Sequence, residues 1–300
     1  MRVLLAYDGS AHSEAALASV CARASYLPPG SRVTVVYVRP PSALALSRPM
    51  ARSAATAAQA NVTRRILAPA LRALQEAGLK ARSLHPSGDP ATRIARVATA
   101  EKSDLIVMGS HGRSARAGLL FGSVTAALLA GSRTPILLLR GGRALPDAPL
   151  KVALAYDDSA DSRAALDFAL AHLGRFDPHP RLHLAHVVDE VPIQVRTALM
   201  NLASIAFTPD QVRAQRAEAF AQATERAHRK LQKAGVRVVD QVLVGSDPGD
   251  ALASFARCEK IDLLVMGCRG RTRLGSAFSG SVTNRVAARG DVPLLLVRSA

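Results

Sequence analysis

The chain has no tryptophan, only 4% aromatic residues and just three cysteines in 300 residues. It shows no zinc-finger spacing and no basic strand with interleaved aromatics, so sequence-specific nucleic-acid recognition is not expected. Cys21, Cys258 and Cys268 are odd in number and stand at no metal-ligand spacing. That suits a reducing cytoplasm. Long apolar runs are missing as well, so no transmembrane helix is predicted and no membrane partner is expected. The opening residues, Met1 to Asp8, turn acidic too early for a signal peptide. Acidic residues are scarce, and unevenly so. Residues 1–145 hold 19 Lys and Arg against 6 Asp and Glu, for +13; residues 146–300 hold 20 against 17, for +3. Such a surface attracts polyanions or acidic partners without specifying one. There is also no G-x-x-x-x-G-K-[ST] phosphate loop.

What the sequence does hold is a repeat. Gly109-Ser110-His111-Gly112, nine residues, then Gly122-Ser123-Val124-Thr125 returns 158 positions later. The second copy reads Gly267-Cys268-Arg269-Gly270, nine residues, then Gly280-Ser281-Val282-Thr283. Each copy follows an apolar run, Leu105–Met108 or Leu263–Met266. A short buried strand leading into glycines and a helix start turns backbone N–H groups towards a phosphate. Glycine is needed where the chain must approach the anion closely. The Ser that follows suits a helix N-terminus, where it caps and where the dipole favours negative charge. Two copies in register set the pattern apart from an incidental turn.

The rest of the chain repeats around these motifs. Strand-like runs at Arg2–Tyr7, Arg32–Val38, Leu79–His85, Asp104–Met108 and Pro135–Arg140 alternate with helical periodicity. A long helix is expected from about Arg52 to Ala77, interrupted or kinked at Pro69. The second half gives Lys151–Tyr156, Arg181–Val188, Val236–Val244, Ile261–Met266 and Pro293–Arg298 in the same order. The early offset is 149 and the later one 158, so nine extra residues lie after the second strand of the second half. Two domains follow, 1–141 and 150–300, with 142–149 as linker. Alternation of this kind predicts an α/β class fold with a parallel sheet in each domain and helices on both faces. Ligands of such sheets lie beyond the carboxyl ends of the strands, where Asp8, Val38 and Gly109 are expected.

Tyr7-Asp8-Gly9-Ser10, the Gly88-Asp89-Pro90 turn, Met108-Gly109-Ser110-His111-Gly112-Arg113, Gly122-Ser123-Val124 and the closing Pro-Ile-Leu-Leu-Leu strand together resemble the universal stress protein family. The resemblance covers nearly all of both halves, and G-x2-G-x9-G-[S/T] matches that family's ATP-binding signature. It implies two tandem five-stranded domains, Rossmann-like and of adenine nucleotide α-hydrolase type, with strand order 3-2-1-4-5. The Ser-Gly-Gly loop of the hydrolases themselves is replaced here by Asp8-Gly9-Ser10. The resemblance further implies ATP with Mg2+ in each domain. In the first, Asp8 would stand near the ribose and the metal-phosphate end, and main-chain groups around Val38 would read the adenine edge. Gly109, Gly112 and Gly122 would wrap the phosphates, joined by Arg113, Ser123, Val124 and Thr125. In the second, the matching positions are Asp157, Val187, Gly267, Gly270, Arg271, Gly280, Ser281, Val282 and Thr283. Asp8 and Asp157 would meet the metal only indirectly, through the phosphates. The second copy departs at Asp158, where the first has Gly9, and at Cys268-Arg269, where it has Ser110-His111.

The function expected is a cytoplasmic, ATP-binding stress-response protein that uses nucleotide as a regulatory ligand. The family's pairing habit implies a homodimer of tandem chains. Two other classes compete. One is a slow Mg-dependent ATPase or phosphoryl-transfer enzyme, which would want a positioned base and a cationic clamp on the γ-phosphate. No lysine lies inside either glycine motif, so slow hydrolysis is the most that class predicts. The other is a nucleic-acid- or chaperone-associated accessory protein working through the basic first half. His111 invites a catalytic role, although a histidine in such a loop more often packs or donates one hydrogen bond.

Overall fold

The computed structural model describes residues 1–39, 49–110, 121–176, 181–188, 208–268 and 281–299. The chain divides into two compact units near Ala148 and Pro149. In the first unit the strands are β1 (Arg2–Ala6), β2 (Arg32–Val36), β3 (Lys80–Leu84), β4 (Leu105–Gly109) and β5 (Ile136–Leu139). Its helices are α1 (Ala11–Ala22), α2 (Pro49–Glu76), α3 (Pro90–Ala100) and α4 (Ser123–Gly131). The strands pair in parallel in the order β3-β2-β1-β4-β5. The chain therefore steps outward from β1 to β3, crosses back, and steps the other way from β4 to β5. Right-handed crossovers put α1 and α2 on one face of the sheet and α3 and α4 on the other. Accordingly α1 packs on α2, and α3 on α4.

The second unit repeats that plan with β6 (Val152–Ala155), β7 (Arg181–Val188), β8 (Arg237–Val244), β9 (Leu263–Gly267) and β10 (Leu294–Val297). Its helices are α5 (Ala160–Phe176), α6 (Pro209–Lys233), α7 (Pro248–Cys258) and α8 (Ser281–Arg289). Its order is β8-β7-β6-β9-β10. Each sheet carries the expected 3-2-1-4-5 arrangement. The aliphatic strand runs are continuous because central strands are covered on both faces. Leu4, Leu5, Ile106 and Leu138 in the first unit, and Leu154, Leu184 and Leu264 in the second, are fully buried. The edge strands β3 and β8 are the more exposed ones, and the charges they carry oppose pairing with another chain.

Two local features differ from the sequence pattern. Helix α2 runs unbroken through Pro69. Pro69 sits on the exposed side, where the carbonyl it leaves unbonded, that of the exposed Arg65, meets water. Strand β2 ends at Val36 rather than Val38, although the Tyr37 and Arg39 amides still donate to Leu84 O and Pro86 O beyond it. The segment before Pro149 is held down on its own domain. The buried Arg23 donates from Nη1 to the carbonyls of Pro146 (3.2 Å) and Ala148 (2.6 Å), while its guanidinium lies 3.8 Å from the Tyr26 ring centroid. Ser19 Oγ accepts from the Leu145 amide at 2.9 Å.

One close approach fixes the start of α1. A Cβ on Gly109, the last residue of β4, would lie 2.5 Å from His12 Cβ and 2.7 Å from the His12 backbone. A Cβ on Gly267 would lie 2.7 Å from Asp161 Cβ and 2.8 Å from its backbone. Backbone cannot yield as a flexible side chain can, so Gly109→Ala and Gly267→Ala are each expected to cost about 1–3 kcal/mol. Gly131→Ala, where nothing lies within 4 Å, should be neutral or stabilising. Denaturant melts of the three variants check this; a Gly109→Ala chain as stable as the parent contradicts the packing.

Candidate functional site

Strands β2, β1 and β4 are parallel neighbours, so their carboxyl ends share one end of the sheet. Connections leave β1 and β4 in opposite directions, which opens a crevice between them. The turn after β1 forms its floor. Asp8 Oδ1 accepts from the Ser10 amide at 3.0 Å, Gly9 takes a left-handed φ of +76°, and Ser10 caps α1 by accepting from the Ser13 amide. Ser13 Oγ donates to the Ser10 carbonyl at 2.9 Å and tightens the same turn. Asp8 therefore shapes the turn through one carboxylate oxygen, while its half-exposed side chain stays at the crevice.

Opposite main-chain groups line the crevice. The Tyr7 amide donates to Val36 O (3.0 Å), and the Tyr37 amide donates to Leu84 O (3.0 Å). Successive residues of a strand alternate their bonding side, so the amide and carbonyl of Val38 point towards β1. There β1 has already turned away at Asp8, and no group among the described residues bonds them. Val187 holds the matching place in β7, after Tyr156 donates to Ala185 O (2.9 Å).

On the other side stands the start of α4. Gly122 is its N-cap and offers no side-chain bond, so the amides of Ser123, Val124 and Thr125 keep the unsatisfied donors of a first turn. The sequence suggested a Ser cap; the structure instead puts Ser123 inside the first turn, exposed. The Ser110 carbonyl accepts from the Gly122 amide (3.0 Å) and from Thr125 Oγ1 (3.2 Å), which ties the helix start to the end of β4. Thr125 is buried, and its hydroxyl holds the first turn of α4 to Ser110. Thr283 repeats this towards Cys268 O at 3.4 Å, so the buried Cys268 replaces Ser110 by lending the same carbonyl. Gly109 and Gly267 meet α1 and α5 rather than open space. His111, Gly112 and Arg113, and Gly270, Arg271 and Gly280, lie outside the described residues. Ser281 and Val282 open α8. Among the described residues no three His, Cys, Asp or Glu side chains converge on a metal site. Asp8 and Asp157 suit a cation only when the other ligands come from elsewhere.

Sequence reasoning missed a ring of support around this turn. The buried Tyr7 donates its hydroxyl to Glu14, and burial first, then Glu14, pushes the phenol well up. In the second domain Arg163 takes Glu14's place and Asp158 takes Gly9's. Tyr156 donates to Asp158 Oδ1 at 2.8 Å. That carboxylate also pairs with Arg163 (3.4 Å) and Arg226 (3.6 Å). Asp158 adopts the left-handed φ of +57°, which Asp tolerates better than most residues. Ile66 Cγ2 lies 3.6 Å from where a Gly9 Cβ would be. The buried pattern Thr63-Leu67-Ala70-Leu74 aligns with Phe220-Thr224-Ala227-Leu231, so Ala223 stands where Ile66 does and Arg226 where Pro69 does. Three exchanges thus absorb the extra carboxylate. The turn itself is unchanged: Asp157 Oδ1 accepts from Ser159 N at 3.0 Å.

A family model described as universal stress protein family matches residues 1–140 and 150–298. A universal stress protein of Thermus aquaticus is 34% identical over 49% of this chain and 97% of its own length. One from Methanocaldococcus jannaschii is 29% identical over 46% of this chain and 90% of its own. The crystal structure of a universal stress protein from Archaeoglobus fulgidus covers 100% of this chain and 96% of its own, with a TM-score of 0.70 at 20% identity.

Burial raises the Asp158 pKa, but Tyr156, Arg226 and Arg163 outweigh it and hold the carboxyl below its usual range. A depressed carboxyl pKa stabilises above the unfolded value near 3.9 and loses that contribution as pH falls through the folded one. Asp158→Asn keeps an acceptor and tolerates the left-handed turn. It should destabilise by about 1 kcal/mol at pH 7. The gap from the parent should close below about pH 4. A gap independent of pH contradicts the charge pairing.

Proposed function

The chain belongs to the universal stress protein family, and on that premise we propose that each domain binds ATP with Mg2+ as a regulatory ligand. The observation that carries this is the pairing, across one crevice, of Val38's open main-chain groups with the uncapped first turn of α4. An amide and a carbonyl side by side suit the edge of a purine. An uncapped helix start suits phosphate oxygens, through both its N–H groups and its dipole. Asp8 then sits between the two, at the ribose and the metal-phosphate end. Gly112 and Gly122 would let the chain follow the phosphates, with Gly109 bringing the motif against α1, and Arg113 would pair with one. Asp157, Val187, Gly267, Gly270, Arg271, Gly280, Ser281 and Val282 take these roles in the second domain. Thr125 and Thr283 act by anchoring the helix start, leaving their amides for the ligand. The spacing leaves room for phosphates beyond the α position, which favours ATP over AMP.

Bound Mg2+ would neutralise phosphate charge; this chain's residues orient the nucleotide rather than attack it. Phosphoryl transfer wants a placed base and a cationic clamp. No lysine lies in either motif, and the carboxylate nearest the site, Asp8, is occupied in shaping its turn. A nucleotide that favours one conformation of its domain shifts the population that a partner meets. This suits a cytoplasmic stress-response role and a homodimer of tandem chains. Asp8→Ala and Asp157→Ala are expected to weaken Mg-ATP at least about tenfold and ATP in chelator far less. Equal losses in both conditions would reduce the two carboxylates to turn formers. Phosphate release should stay far below about 1 per second, the lower end of kinase turnover; faster release would make the protein an enzyme.

A further inference from the structure

We propose that the amino-end edge of the first domain's sheet is a docking surface for the phosphate backbone of duplex nucleic acid. Arg2, Arg32 and Lys80 begin β1, β2 and β3 and stand in register across the three strands. Two residues further on, Arg82 is in register with Thr34. Residues in register share a face, and neighbouring strands lie about 4.8 Å apart, so the four cations make a patch about 10 Å wide. All four are exposed. Arg82 pairs with Glu101 just after α3, which puts the patch on the α3 face of the sheet. Arg2 reaches Asp104 at 3.7 Å. Among the described residues Arg32 and Lys80 have no acidic partner. Neither has Lys102, in the turn that leads to Asp104.

The contrast with the second domain shows where positive charge is left available. Among the described residues the first domain has two ion-pair contacts and the second has ten. The matching edge of the second domain carries Lys151, Arg181 and Arg237, but there Glu259 pairs with Lys151 at 2.8 Å and Val239 stands where Arg82 does. The first domain holds most of the chain's excess charge, and this strand edge gathers part of it in register.

Surface chemistry selects the partner. A membrane surface rewards apolar side chains beside the cations. Among the described residues the only exposed large hydrophobic of the first domain is Val62, on α2 across the sheet. A single strand rewards aromatic platforms. Tyr7, Tyr37 and Phe121 are buried, and Tyr26 lies under Arg23. What remains is guanidinium forks and ammonium groups at regular spacing, the requirement for a repeating phosphate backbone read without sequence. Each strand of the sheet is long enough to keep this edge about 16 Å from the crevice at its other end. Duplex and nucleotide would bind together.

The test is fluorescence anisotropy of a labelled duplex of about 20 base pairs with the full chain, from 50 to 200 mM salt. Four neutralised phosphates predict a log–log slope of about −3.6, a loss of about a hundredfold over that range. Arg32→Glu with Lys80→Glu is expected to weaken low-salt binding at least about tenfold, since each removes a phosphate contact. Arg64→Glu with Arg72→Glu changes charge equally on α2, across the sheet, and should change binding less than about threefold. Saturating Mg-ATP should leave affinity unchanged. Circular dichroism and melting of both variants verify folding. Equal loss in the two variants would show net charge acting alone and overturn the site. A flat salt response, or tighter binding to single strands or phosphatidylserine vesicles than to duplex, would overturn the partner.

Discussion

The architecture of each site depends on a contact made without side chains: the first turn of the leading helix lies against a glycine that ends the fourth strand. His12 touches Gly109 in the first domain, and Asp161 touches Gly267 in the second. Because the gap admits no Cβ, the turn Asp8-Gly9-Ser10 is held beside the start of the glycine motif. The same contact fixes where β1 stops. That leaves Val38 with main-chain groups facing an empty neighbour position, and a crevice exists between β1 and β4. The glycine contributes shape first, and any phosphate geometry follows from that shape.

The two domains show how much chemistry this frame tolerates. Asp158 in place of Gly9 brings a carboxylate to the mouth of a proposed anion site, a choice that would be costly if the charge stood alone. It does not stand alone. The Tyr156 hydroxyl, Arg163 and Arg226 surround it, and Ala223 vacates the space that Ile66 fills in the first domain. The phenol partner has moved from helix to turn, and the helix charge has reversed to match. Cys268 for Ser110 is milder, because the role there belongs to a carbonyl that any residue supplies. The departures in the second domain are compensated in kind, and its helix start remains anchored through Thr283.

Much of this was legible from the sequence. Strands buried on both faces print as unbroken aliphatic runs, so Leu105–Met108 and Leu263–Met266 located β4 and β9 and the motifs behind them. Strand order and family followed from the repeat and from residues such as Tyr7-Asp8-Gly9-Ser10. What escaped was everything set by contacts distant in the chain. Nothing in the string says that Gly109 faces His12, that Thr125 turns its hydroxyl back to Ser110, or that Arg226 reaches Asp158. Pro69 read as a break because propensity ignores which side of a helix faces water. Nor does the string say that Arg23, just past the first helix, holds the carbonyls of Pro146 and Ala148. The cap was misplaced by one residue, since Gly122 in extended conformation serves where Ser123 looked better suited.

The central claim is that both crevices, including the one with the added carboxylate, are competent for Mg-ATP. The most direct measurement is calorimetric titration of nucleotide-stripped protein with Mg-ATP, alongside the nucleotide released on denaturing protein purified without any added. The account predicts two nucleotides per chain, with Asp158→Asn leaving the count unchanged. One nucleotide per chain, rising to two when Asp158 is replaced, would show that its neighbours fail to neutralise it. No binding in either domain would contradict the claim outright and leave the glycines as packing alone.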